Sequence, residues 1–124
     1  MRLASGIAIL TVFCGGMPAL ATGTISCSVA GYPGMDLVMT FGHGLGAGIV
    51  QATISDGGEE LGTADGSLAI AQAWIDTDEL KLDLVDANAE RYVARLDARS
   101  RGTAYVGTLI YRGRSRRVRC EEAG

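Results

Sequence analysis

Residues 111–120 read YRGRSRRVRC, five arginines in ten positions ending in an apolar residue and a cysteine. Arginine clusters of this kind grip phosphates and carboxylates through planar, permanently charged forks. The alternation within the run decides how much of it is available for that. If Arg112 and Gly113 form a two-residue turn, then Tyr111, Arg114, Arg116, Val118 and Cys120 share one face of a hairpin. Arg117 and Arg119 then share the other face with Val106, Thr108 and Ile110. The face carrying Val118 and Cys120 is the interior one, so Arg114 and Arg116 point inward near one mouth, beside Tyr111. An inward arginine at a rim either meets a carboxylate or keeps its donors for an anionic ligand. Tyr111, Arg114 and Arg116 are therefore the candidate ligand-binding residues.

Other chemistry is thinly represented. His43, the only histidine, lies in GHGLGAG, which lacks the lysine and hydroxyl ending of a phosphate loop. No G-x-S-x-G surrounds a serine, so a nucleophile elbow is absent from the sequence. Asp76, Asp78 and Glu79 cluster in IDTDEL, where carboxylates solvate a turn as readily as they transfer protons. That spacing lacks the glycine and terminal glutamate of a calcium loop. Trp74, the single tryptophan, shares a face with Leu68 and Ile70 and is expected in the core. No catalytic residue, metal or cofactor is expected, and the chain reads as a binding protein, not an enzyme.

The N-terminus reads as an export signal. Arg2 precedes the mostly apolar residues 3–13, and residues 19–21 (ALA) form a small-x-small cleavage site. The apolar run is too short and glycine-broken to span a bilayer. The expected division is thus a signal peptide over residues 1–21 and one domain over 22–124, periplasmic or secreted. Cys14 leaves with the signal, and Cys27 and Cys120 remain as an expected disulfide. Lipidation of Cys27 is the competing fate. Closing so long a loop stabilises by about 4–5 kcal/mol in the chain-entropy account.

The elements that must position these groups are strands. Apolar residues recur every second position: Ile25, Cys27 and Val29; then Met35, Leu37, Met39 and Phe41; then Leu80, Leu82 and Leu84. Turn signals such as GYPG, DGGEE, DTDE and YRGR punctuate them. The pattern predicts an all-β, antiparallel up-and-down meander of about eight strands, a closed or nearly closed small barrel tied by one disulfide. Its interior could be filled or hollow. Charge selects one register. Setting residues 80–86 against 92–98 with Val85 across from Val93 places Asp83 opposite Arg95, Lys81 opposite Asp97 and Leu82 opposite Leu96. Arg91, Arg95 and Arg99 then lie outside, partly neutralised by the neighbouring strand.

Charge is divided along the chain. Residues 22–90 hold eleven acids and one lysine, whereas 91–120 hold nine arginines and one acid. A meander closing on itself is expected to bring the two halves together and cancel much of this. An acidic exported protein with few aromatics near its arginines is a poor nucleic-acid binder. An anionic small molecule, a wall polymer or an envelope protein fits better as a partner.

The segment LKLDLVDANAERYVARLDARSRGTAYVGTLIYRGRSRRVRCEEAG resembles small exported bacterial proteins of unassigned function, which end in a tyrosine-glycine-threonine hairpin, a basic strand and a cysteine. The resemblance implies a fold more than an activity. More loosely, the chain resembles the periplasmic inhibitors of C-type lysozyme, in size, export signal, strand pattern and terminal cysteines. That family carries S-G-x-x-Y and a later tyrosine followed by T-K-G. Here residues 100–105 read SRGTAY, one residue longer, and no T-K-G follows Tyr105 or Tyr111. Inhibition of a cell-wall hydrolase is the alternative function that this likeness implies.

Overall fold

The computed structural model describes residues 22–42 and 48–123. The expected signal peptide, Cys14 and His43 lie outside the described residues. Nine strands form one antiparallel sheet that curls into a nearly closed barrel: β1 (Thr22–Val29), β2 (Met35–Gly42), β3 (Ile49–Asp56), β4 (Glu59–Gly62), β5 (Leu68–Ile75), β6 (Glu79–Asp86), β7 (Tyr92–Arg101), β8 (Ala104–Tyr111) and β9 (Arg114–Glu122). Their order is β4-β3-β2-β1-β9-β8-β7-β6-β5, so the first and last strands in the chain are neighbours.

The period-two pattern is what drives this arrangement. In β2 the buried and half-buried residues alternate without a break, and β6 repeats the pattern through Leu80, Leu82 and Leu84. The inward side chains merge into one cluster, to which every strand except β4 contributes a buried residue. Leu37, Met39, Leu80, Leu84 and Leu109 expose no surface at all, so no water-sized space adjoins them. The barrel is filled by its own side chains, at the limit expected for about eight strands. Cys27 lies directly across from Cys120 in the β1–β9 ladder, and the two are joined as a disulfide over a separation of 93 residues.

An expectation of about eight strands meets nine for a simple reason. All pairings are antiparallel, so the two ends of the order, β4 and β5, run in the same direction. They behave as one strand broken at residues 63–67. Its first piece ladders to β3 and its second to β6. The break is pinned by side chains: Thr63 bonds Ala52 through its N–H (3.0 Å) and accepts the Ala52 N–H at Oγ1 (3.1 Å). Ser67 Oγ likewise accepts from the Gly62 N–H at 2.8 Å. The seam of the barrel therefore falls between consecutive strands, far from the disulfide.

Two bulges alter what simple alternation implies. The β6–β7 register places Asp83 against Arg95, Lys81 against Asp97 and Leu82 against Leu96, as charge matching requires. Beyond it the ladder slips, and Val85 faces Tyr92 instead of Val93. In β5 an extra residue at Ala71 reverses the parity, so Ala73 and Ile75 turn to the core. Trp74 is consequently not a core residue: it is 54% exposed on the outer face. Gly107 has the opposite role, since a Cβ there would collide with the backbone of Asp97 and Ala98. Only glycine lets β7 and β8 approach so closely.

Candidate functional site

The up-and-down order sorts the turns into two rims. The upper rim carries residues 30–34, the Gly57–Gly58 turn, residues 87–91 and the Arg112–Gly113 turn. The lower rim carries residues 76–78, the Gly102–Thr103 turn and both ends of the described chain. Tyr111, Arg114 and Arg116 all belong to the upper rim.

The β8–β9 hairpin turns in two residues, with Tyr111 paired to Arg114 and Leu109 to Arg116. Both central residues have positive φ, Arg112 at 50° and Gly113 at 81°, the backbone of a tight primed turn. Glycine takes that conformation freely, whereas arginine meets a steric penalty there. Arg112 offsets it with two contacts. Its guanidinium forms a two-pronged pair with Glu59 on β4, at 3.1 and 3.4 Å, and covers the Tyr111 ring 5.0 Å from the centroid. The pair ties the β8–β9 turn to the β3–β4 turn, and Gly57 N–H donates to Gly34 O at 3.0 Å to bring in the β1–β2 loop. Three of the four upper connections are thus braced together.

Within this frame the three sequence candidates separate. Tyr111 is 4% exposed, and burial raises its hydroxyl above the ordinary value despite the opposing effect of Arg112. Its role is chiefly to carry the packing under the rim. Arg114 shares the inner face by register but stands exposed, with no carboxylate within 4.0 Å among the described residues. Arg116 is half-buried and stacks on Tyr32 of the β1–β2 loop, its guanidinium carbon 3.7 Å from the ring centroid. Its Nε is buried without a hydrogen-bond partner. Of the two fates open to an inward arginine, pairing with a carboxylate does not occur at Arg116 among the described residues. The turn arginine, Arg112, takes the nearby acid instead.

Tyr32, Glu59 and Arg112 are the site residues that sequence reading missed. A signal for Glu59 was present, because in the expected eight-strand meander the acidic residues after Gly57–Gly58 and the basic turn at Arg112 fall on the same rim. Nothing in the sequence marks Tyr32 as the platform for Arg116.

The lower rim holds the carboxylate cluster. Asp76 accepts the N–H groups of Asp78 and Glu79 at 2.8 Å each and the Trp74 indole N–H at 2.9 Å. These bonds, the Glu79 N–H foremost, hold its carboxyl below the usual range. The Tyr105 hydroxyl donates to Asp76 O at 2.5 Å, and Ser100 N–H donates to Asp78 O at 2.8 Å. Among the described residues, no group of three or more His, Cys, Asp and Glu side chains could hold a metal ion, and no helix is long and apolar enough to cross a membrane.

The charge division survives folding. Of the nine arginines in 91–120, Arg95 pairs with Asp83 at 3.2 Å, Arg112 with Glu59 and Arg119 with Glu121 at 2.7 Å. Arg91, Arg99, Arg101, Arg114, Arg116 and Arg117 have no such partner among the described residues. Closure was expected to cancel much of the charge division, and for the β9 arginines the strand order explains why it does not. β9 closes against β1, whose sequence TGTISCSV carries no charge, while the acids of β3 and β4 stand farther round the barrel. Comparison with protein-family models, curated proteins and solved structures finds no match to this chain.

Proposed function

We propose that this protein is an exported, non-enzymatic barrel that binds a small oxyanion at its upper rim, either free or carried by an envelope partner. The observation that carries the reading is the Arg116 guanidinium, held against Tyr32 with a buried, unpartnered Nε. A buried donor without an acceptor costs about 1–3 kcal/mol, so the site is most stable when an acceptor enters. Stacking fixes the plane of the fork without using its in-plane donors, and Arg114 adds a second free cation on the same strand. The filled interior directs binding to the rim instead of a central chamber. Export is supported by the disulfide, which persists in oxidising compartments.

Inhibition of a wall hydrolase has less support. Tyr105, the tyrosine closest to the inhibitor motif, commits its hydroxyl to the lower rim at Asp76. Orthophosphate, sulfate and acetate titrated into the purified protein at low salt test the proposal. Arg116→Met should weaken the tightest of them at least tenfold, and Arg114→Gln less. If the unaltered protein retains none of the three anions, or if Arg116→Met binds equally well, the rim is not an anion site.

A further inference from the structure

The outer face of β7, β8 and β9 carries charge in an order that the rim does not use. Alternation points Asp97, Arg99 and Arg101 outward from β7 and Arg117, Arg119 and Glu121 outward from β9. β8 lies between them and contributes only uncharged residues, among them Val106 and Thr108. The two arginine rows therefore stand two strand spacings apart, about 10 Å, over a neutral floor.

This relief forms two depressions that share a wall. One, of about 470 Å3, is bordered by Arg99, Arg101 and Arg117 over Val106 and Gly107, with Asp97 as its only acid. The other, of about 220 Å3, shares Val106 and Arg117 and adds Arg119 and Ser28 of β1. Together they make a trough crossing from β7 to β1. Arg99, Arg101 and Arg117 have no carboxylate within 4.0 Å among the described residues, because Asp83 is engaged by Arg95 and Glu79 by Lys81 at 3.5 Å. Keeping like charges together on an otherwise acidic protein is unfavourable unless a ligand neutralises them.

We infer that this trough binds a linear polyanion, laid across β7, β8, β9 and β1 with successive oxyanions meeting Arg101, Arg99 and Arg117. A single small anion would reach one wall, whereas a chain of anions satisfies both depressions through the shared Arg117. No aromatic ring lines either depression, so the trough has no platform for stacking bases. The inference stands apart from the rim site, since it uses none of Tyr32, Arg114 or Arg116.

Inorganic polyphosphate and polygalacturonate, each titrated over a range of salt concentrations, test it, with orthophosphate as the monomeric control. Measured in Arg116→Met, where the rim no longer contributes, at least one polymer should bind tenfold or more tightly than orthophosphate. Changing Arg99, Arg101 and Arg117 together to Gln should abolish that preference. It should also flatten the log–log salt slope by about 2, at ~0.7 for each arginine removed. Asp97→Asn should tighten binding, a gain that damage to the fold would not produce. Arg116→Met, which disables the rim, should leave polymer binding unchanged. Preference for polyphosphate would identify phosphate as the recognised group, and preference for polygalacturonate carboxylate. Binding of both polymers no tighter than orthophosphate, or retained by the triple variant, would overturn the trough.

Discussion

The two rims of the barrel use similar residues to opposite ends. At the lower rim, an acid, a tyrosine and a tryptophan satisfy one another: Asp76 caps its turn, receives Trp74 and lends its carbonyl to Tyr105. At the upper rim, Arg112 and Glu59 brace the loops, but Arg116 is left stacked on Tyr32 with a donor unused. A network whose members are all paired reads as structure, and one that is held rigid yet incomplete reads as a place for a ligand. Position in the sequence would not have separated them, since both rims were marked by a cluster of like charges.

The largest perturbation should not discriminate between the rims. Replacing Cys27 and Cys120 by Ser removes a tie that belongs to neither, and should cost about 4–5 kcal/mol of unfolding free energy by urea titration. A loss well under 2 kcal/mol would show that the β1–β9 ladder holds the closure by itself.

Single substitutions should separate the rims sharply. Tyr105→Phe deletes a completed hydrogen bond and should lower stability by about 1 kcal/mol. Arg116→Met keeps an apolar stem against Tyr32 while removing the orphaned donor, so stability should stay within about 0.5 kcal/mol or rise. Reversal of that order in denaturant titrations would break the contrast drawn above.

The smallest effect is set by pH. The Asp76 carboxyl is held below its ordinary value of 3.8 in the folded protein. Its contribution is therefore complete above that value and lost as pH falls through the lower, folded-state pKa. The single tryptophan reports on it directly through the 2.9 Å bond from Trp74. Fluorescence should show a step with its midpoint below 3.8, absent in Asp76→Asn. A step at or above 3.8 would mean that the carboxylate is not engaged as described.

Charge and periodicity made one part of the fold legible. Leu80, Leu82 and Leu84 named the inner face of β6, and only one register satisfied Asp83 with Arg95 and Lys81 with Asp97. Parity carried Arg116, Val118 and Cys120 to the inside of β9 in the same way. Trp74 escaped because one unpaired alanine costs the chain little locally and reverses every side chain after it. β4 escaped because four residues, EELG, show too little alternation to distinguish a short strand from a turn.

By itself the sequence determined the all-β class, the inward and outward sets of most strands and the cysteine pair. Each of those depends on side chains a few positions apart or on the even number of thiols left once the expected signal is removed. Only the tertiary structure decided which charges are paired. Arg112 meets Glu59 across 53 positions and Arg116 meets the ring of Tyr32. Among the described residues Arg117 meets no acid, since uncharged β1 closes beside β9, and Arg99 and Arg101 meet none, since Glu79 and Asp83 of β6 are taken by Lys81 and Arg95. Pairing between distant charges depends on which strands become neighbours, and here the closure of the sheet decides that.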